Sequence, residues 1–216
     1  MTQPYELTAS EARKLIGQKK ISSVELLESC LDRIEKVNPI INAIVAIDQS
    51  VAIENAKQAD KKTLNGEELN LLHGLPVGIK DLCMVKNLRS TSGSLINENH
   101  IPNEDDEIVK KIRNEGGTIF CKTNTPEFGA GGNTTNKVYG TTVNPFDIKK
   151  SAAGSSGGSA AALACDMLPL ANGSDYGGSL RTPSGFCGVS GFRPSPGIVP
   201  TVDSSICLNP LSIGPK

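Results

Sequence analysis

The run Gly154-Ser155-Ser156-Gly157-Gly158-Ser159 passes without a break into Ala160-Ala161-Ala162-Leu163-Ala164, and that junction constrains the fold more than any other stretch. Glycines on both sides of a serine pair mark a sharp turn in which other backbone can approach closely. The small residues that follow favour a helix, one packed tightly in a core. Glycine and serine richness through 129–159 resembles a linker in composition. Helix-forming sequence follows at once, so the stretch is read instead as a functional loop. Ser179 lies 24 positions after Ser155, inside Asp175-Tyr176-Gly177-Gly178-Ser179-Leu180-Arg181, where glycines leave a series of backbone N–H groups open.

Upstream, residues 1–70 read as helical. Thr8-Ala-Ser-Glu11 and Ser22-Ser-Val-Glu25 both fit the capping box, in which hydroxyl and carboxylate satisfy orphan N–H groups reciprocally. Val24, Leu27, Leu31 and Ile34 then recur at helical spacing, and Asn38-Pro39 is expected to stop that helix. Asn42–Ile47 is a strand candidate, and Asp48 can cap a further helix to about Lys61, before a loop at Asn65-Gly66. From residue 74 the texture changes to short apolar runs between Gly, Ser, Thr and Asn. Leu75–Ile79 and Thr118–Cys121 read as buried strands, the second following a helix from Asp105 to Asn114 that stops at Gly116-Gly117. Strands alternating with helices predict an α/β fold with a central sheet. The division expected is a helical segment over 1–70 and a catalytic core over 71–216.

Composition removes several classes of function. A net charge of −1 argues against nucleic acid or an anionic membrane as the main partner. No apolar stretch approaches the roughly 20 residues of a membrane span. The start Met1-Thr2-Gln3-Pro4-Tyr5-Glu6 lacks the order of a secretory signal. Six cysteines at 30, 83, 121, 165, 187 and 207 never form a C-x-x-C pair, so zinc and redox motifs are unsupported and no metal or cofactor is expected. Thiols scattered this way suit small core positions of a cytoplasmic protein.

Chemistry narrows by elimination. Gly154-Ser155-Ser156-Gly157-Gly158 matches G-x-S-x-G literally, but the hydrolase fold with that elbow needs a histidine after the serine. The two histidines, His73 and His100, both precede it, and His73 is read as structural. The glycine run lacks the G-K-[ST] ending of a phosphate-binding loop. What remains is a serine hydrolase whose base is not histidine. A lysine can serve only when neutral, which requires burial or a neighbouring cation to bring its pKa from about 10.4 towards ~7–8. Lys80 ends the apolar run Leu75-Pro76-Val77-Gly78-Ile79 and precedes Asp81. On its own it reads more simply as a surface lysine at a strand end.

Taken together, Gly74–Asp81, the serine pair and the Asp175–Arg181 run resemble the amidase signature family. Supporting matches are Lys122-Thr-Asn-Thr-Pro-Glu-Phe128, Tyr139-Gly-Thr-Thr-Val-Asn-Pro145, and Gly185-Phe-Cys-Gly188 leading to Gly191-Phe-Arg-Pro194. The resemblance implies Ser179 as nucleophile, Ser155 as bridging proton relay and Lys80 as base. It implies a cis peptide bond at Gly154–Ser155, and an oxyanion hole from the backbone N–H groups of Tyr176, Gly177, Gly178 and Ser179. Ser156, Asp175 and Arg181 are expected to hold the loops rather than react, with Thr123 and Asn124 in similar roles. Family members often carry P-G-G before the serine pair, where this chain has Ala152-Ala153-Gly154; with Gly154 kept, the turn is expected to survive.

Family members are about twice this length, so the resemblance implies that part of the sheet and much of the acyl pocket lie outside these residues. A chain of this extent alone is expected to expose apolar sheet edges. Three functions are then open. The first, favoured by Gly191–Pro200, is a stand-alone amidase acting on a small-molecule carboxamide. The second is a glutamine-hydrolysing, A-type component of an aminoacyl-tRNA amidotransferase, with protein partners and tRNA. The third is a catalytically dead fragment. Oligomeric state is not legible.

Overall fold

The structure is a computed structural model and describes residues 3–195 and 197–199. Cys207, and part of the Gly191–Pro200 segment, lie outside the described residues. The N-terminal helices start where the capping boxes put them. Helix α1 (Ala9–Gly17) is capped by Thr8 and Glu11, and α2 (Ser23–Ile41) by Ser22 and Glu25, with both reciprocal bonds made in each case.

Helix α2 does not stop at Asn38-Pro39. It runs on to Ile41 with Pro39 inside, and ends at Asn42 in the left-handed conformation. Pro39 sits within the last turn, where the donor it lacks breaks little of the helix. Asn38 then binds the chain beyond the turn: its Oδ1 accepts from the N–H of Ala43 (2.9 Å) and Ile44 (2.8 Å), and its Nδ2 donates to the Ile44 carbonyl (2.8 Å). Strand β1 (Ile44–Ile47) follows, and then α3 (Gln49–Asn65), capped by Asp48 and closed by Gly66.

The central sheet has the order β1-β3-β2-β8, built from β2 (Pro76–Lys80), β3 (Thr118–Thr123) and the short β8 (Leu170–Ala171). Strand β2 runs parallel to both neighbours, while β1 is antiparallel to β3. Every residue of β2 and β3 is buried, as in strands covered on both faces, and that includes Lys80 of β2 and Lys122 of β3. Helix α4 (Glu107–Asn114) covers one face through Val109 and Ile112, packed with Val77, Ile79 and Ile119. On the other face, Phe120 and Cys121 pack with Leu27 and Ile34 of α2, Ala52 and Ala56 of α3, and α5 (Gly157–Ala164).

The stretch before α5 is more ordered than a plain loop. It holds two small antiparallel pairs, β4 (Thr135–Asn136) with β5 (Gly140–Thr141), and β6 (Val143–Asn144) with β7 (Asp147–Ser151). After β8 the chain forms the loop carrying Ser179 and then α6 (Arg181–Cys187).

Helix α5 needs its glycines because it enters against backbone. A Cβ on Gly158 would lie 2.2 Å from the Asn124 nitrogen, 2.6 Å from the Asn124 oxygen and 2.8 Å from the Ala43 oxygen. Main chain at the end of β3 cannot yield as a side chain can. Gly158→Ala is therefore expected to cost about 1–3 kcal/mol or more, read as a fall in thermal midpoint; an unchanged midpoint would show that this approach is looser than described.

Candidate active site

The end of β2, the turn before α5 and the loop after β8 meet at one point. Lys80 closes β2 and is 1% exposed, so its amine must find partners inside the protein. Its Nζ donates to three hydroxyls: Ser155 at 2.6 Å, Ser174 at 2.8 Å and Ser156 at 3.0 Å. No carboxylate is among its hydrogen-bond partners in the described residues. Burial pushes its pKa down to about 7, against the raising influence of Cys83 and Asp175. The strand end is held by Asn172, whose Oδ1 accepts from the Lys80 backbone N–H at 2.6 Å.

Ser155 and Ser156 are both buried, and the Gly154–Ser155 peptide bond is cis. The turn survives its alanines, with Ala153 at φ 59°, a conformation that glycine would adopt without strain. Gly157 donates its N–H to Thr134 Oγ1 (3.0 Å), and that hydroxyl donates to the Ala153 carbonyl (2.9 Å), so the turn is fixed from outside. Thr123 and Asn124 brace the same helix: Thr123 Oγ1 shares a 2.6 Å hydrogen bond with Ser159 Oγ, and the Asn124 carbonyl accepts from Gly158 N–H at 3.2 Å.

The structure brings Lys80, Ser155 and Ser156 into direct contact, and reaches Ser179 through backbone. The Ser156 N–H donates to the Ser179 carbonyl at 3.1 Å. The Ser179 hydroxyl, half-buried, makes no hydrogen bond to Ser155 among the described residues. Asp175 organises that loop. Its buried carboxylate accepts from the N–H groups of Gly178 (2.7 Å), Leu180 (3.2 Å) and Arg181 (3.3 Å), and from Arg181 Nε (2.9 Å) and Nη2 (3.0 Å). Burial alone would raise its carboxyl, but the Arg181 guanidinium and the backbone donors outweigh burial and hold it well below the usual carboxylate range.

Of the four expected oxyanion donors, the Gly178 N–H is therefore committed to Asp175. Those of Tyr176, Gly177 and Ser179 carry no hydrogen bond among the described residues. Sequence reasoning missed Ser174 and Asn172. Each is an ordinary polar residue in the chain, and its role arises only when the loop folds back onto a strand more than ninety positions earlier. A cavity of about 590 Å³ opens beside the loop, lined by Ser156, Ser159, Leu163, Asn172, Leu180 and Phe192 among others, but by none of Lys80, Ser155 and Ser179. Among the described residues, no three His, Cys, Asp or Glu side chains gather in a way that could hold a metal ion.

The sequence and the fold are matched by known proteins. The sequence profile described as Amidase covers residues 25–208. The A-type component of the glutamyl-tRNA(Gln) amidotransferase of Thermoanaerobacter pseudethanolicus is 43% identical over 195 residues, covering 90% of this chain and 40% of that protein. The protein of the same description from Dehalococcoides mccartyi is 41% identical over 199 residues, covering 92% and 41%. Among solved structures, a bacterial aryl acylamidase of the amidase signature enzymes superposes with a TM-score of 0.86 at 35% identity, covering 90% of this chain and 41% of that one. The peptide amidase from Stenotrophomonas maltophilia has a TM-score of 0.86 at 28% identity, covering 92% and 42%. The chain thus spans about 40% of the length of the curated relatives it matches. With its α/β sheet, its loops and its sequence all pointing the same way, the chain belongs to the amidase signature family.

Proposed function

We propose that this chain carries the reacting residues of an amidase, which hydrolyses a carboxamide C–N bond through an acyl-enzyme on Ser179. The observation that carries this reading is the 2.6 Å contact between a fully buried Lys80 amine and Ser155 Oγ, with Lys80 brought down to about 7 by burial. A neutral amine is a competent base, and a hydroxyl that both accepts and donates can relay a proton. Ser179 Oγ attacks the carbonyl carbon while its proton passes to Ser155 and that of Ser155 to Lys80. The proton returns along the same route to the leaving nitrogen as the C–N bond breaks. Water then takes the place of the amine and hydrolyses the ester. The backbone N–H groups of Tyr176, Gly177 and Ser179 are the open donors for the oxyanion, with Gly178 positioning the turn through Asp175. Losing one such donor typically costs about 3–4 kcal/mol of barrier. Asp175, Arg181 and Ser156 hold loops, residues 1–70 act as scaffold and 71–216 as catalytic core.

A second reading is favoured by the curated relatives, at 41–43% identity, which carry the name of the A-type component of glutamyl-tRNA(Gln) amidotransferase. In it the same serine hydrolyses glutamine, and the ammonia released is used with partner proteins on an aminoacyl-tRNA. The solved amidases, at 28–35% identity, support the stand-alone reading. Ammonia release from glutamine that depends on partner proteins selects the second reading; turnover of simple aryl or primary amides by this protein alone selects the first. A cytoplasmic setting is supported by five buried cysteines that form no disulfide among the described residues.

Two outcomes test the chemistry. A fluorophosphonate probe is expected to label Ser179, located by peptide mass, and labelling that persists in Ser179→Ala would remove it as nucleophile. The protonated form of Lys80 is inactive, so log kcat/KM should rise with slope one below about 7 and level off above it. Lys80→Ala and Lys80→Arg should each lose at least about a hundredfold at neutral pH. A rate in Lys80→Arg close to the parent's would show that the proton goes elsewhere.

A further inference from the structure

The three hydroxyls around Lys80 are not equivalent, and their difference fixes which way a neutral amine must face. Ser156 Oγ accepts from Lys80 Nζ (3.0 Å) and from the Ser174 N–H (3.1 Å), and donates its own hydrogen to the Ser174 carbonyl (3.2 Å). A hydroxyl has one donor and two acceptor sites, so Ser156 is fully used and can only accept from the lysine. Ser155 and Ser174 differ in exposure. Ser155 is 2% exposed, and its hydroxyl has Lys80 as its one hydrogen-bond partner among the described residues. Ser174 is half-buried, so its hydroxyl hydrogen can be satisfied by water.

An ammonium has three N–H bonds, which the three hydroxyls accept together. A neutral amine has two N–H bonds and one lone pair, so one of the three contacts must reverse. Resting on the amidase reading, we propose that Ser174 is a positioning residue: with Ser156 it takes the two N–H bonds of neutral Lys80 and so leaves the lone pair facing Ser155. Reversal falls on Ser155 because that hydroxyl is the buried one, with no other acceptor for its hydrogen among the described residues, at the shortest distance of the three (2.6 Å). The Ser155 hydrogen is then directed at the base before any substrate arrives. Without Ser174 the amine can rotate about its Cε–Nζ bond and point its lone pair into the space that Ser174 leaves.

Asp175 faces the amine from the loop but is neutralised by Arg181 and lies 3.6 Å from Arg193 Nε, and the Cys83 thiol lies beyond the end of β2. On the opposite side of the sheet, Lys122 is paired with Asp81 at 3.5 Å. None of these is altered by a change at Ser174.

The test is the titration of Lys80 in the full chain, followed by NMR through its 15Nζ and 13Cε signals, for Ser174→Ala, Ser174→Val and Ser174→Thr. Removing an acceptor harms the ammonium more than the amine, since a hydrogen bond to a charged group is the stronger of the two. Ser174→Ala is expected to lower the midpoint by about one pH unit. Ser174→Val, the shape of threonine without its hydroxyl, should lower it in the same direction, which keeps the test decisive if the alanine variant fails to fold. Ser174→Thr, which restores the hydroxyl, should return the midpoint to within a few tenths of a unit of the parent. In an active preparation the acid limb of kcat/KM moves with the titration and the plateau falls about tenfold or more. An unmoved midpoint in the alanine and valine variants, or an equal shift in the threonine variant, would overturn the proposal. A shifted midpoint with no amide turnover in any form would uphold the positioning role and remove the amidase reading.

Discussion

The structure depends on one costly placement: an amine buried at the end of a central strand among hydroxyls, with no carboxylate bonded to it among the described residues. Between the folded pKa of about 7 and the ordinary value near 10.4, the unfolded chain binds more protons at Lys80 than the folded one. Stability therefore rises with pH through that window, and the full penalty, on the order of 4–5 kcal/mol, applies below it. That is a large share of the 5–15 kcal/mol by which domains are stable. The neighbouring strand shows the alternative. Lys122 is just as buried, yet it has Asp81 at 3.5 Å and donates to the Cys83 carbonyl and to Ser90 Oγ. Burial pushes the Lys122 amine down as well, but Asp81 beside it opposes that, whereas the hydrogen-bond partners of the Lys80 amine are hydroxyls.

The rest of the scaffold encloses that amine and fixes the backbone of the turn and loop around it. Helix α5 lies on the backbone of Asn124 because Gly158 has no side chain, and Thr134 ties the turn before it to Ala153. Asp175 gathers three backbone N–H groups and a guanidinium, so the loop around Ser179 takes one shape. The same carboxylate occupies the Gly178 N–H, and the N–H groups of Gly177 and Ser179 on either side of it carry no hydrogen bond among the described residues. Turn and loop are joined by the Ser156–Ser179 backbone bond and by Ser156 Oγ against the Ser174 backbone, which registers the Ser179 loop to the turn carrying Ser155.

Features set by neighbours in the chain were legible from sequence. Capping boxes at Thr8 and Ser22, the Asp48 cap and the buried strands β2 and β3 all follow from residues within a few positions. Pro39 was misleading because its effect depends on where the helix ends, and that is set by Asn38 bonding forward to β1. Pairings β4–β5 and β6–β7 hide in a polar, glycine-rich stretch with no alternation to reveal them. Lys80 is ambiguous as a residue, and the expectation that it acts as a base comes only from the motifs around it. Ser174, Asn172 and the engagement of Gly178 were not legible, because each depends on loops that meet only in three dimensions.

The central claim is that Lys80 rests neutral, its lone pair on Ser155. Neutron diffraction from deuterated crystals, grown at least one unit above pH 7, observes this directly. Two deuterons on Lys80 Nζ, directed at Ser156 and Ser174, with the Ser155 deuteron pointing at the nitrogen, are expected. Three deuterons on Nζ at that pH would contradict the account.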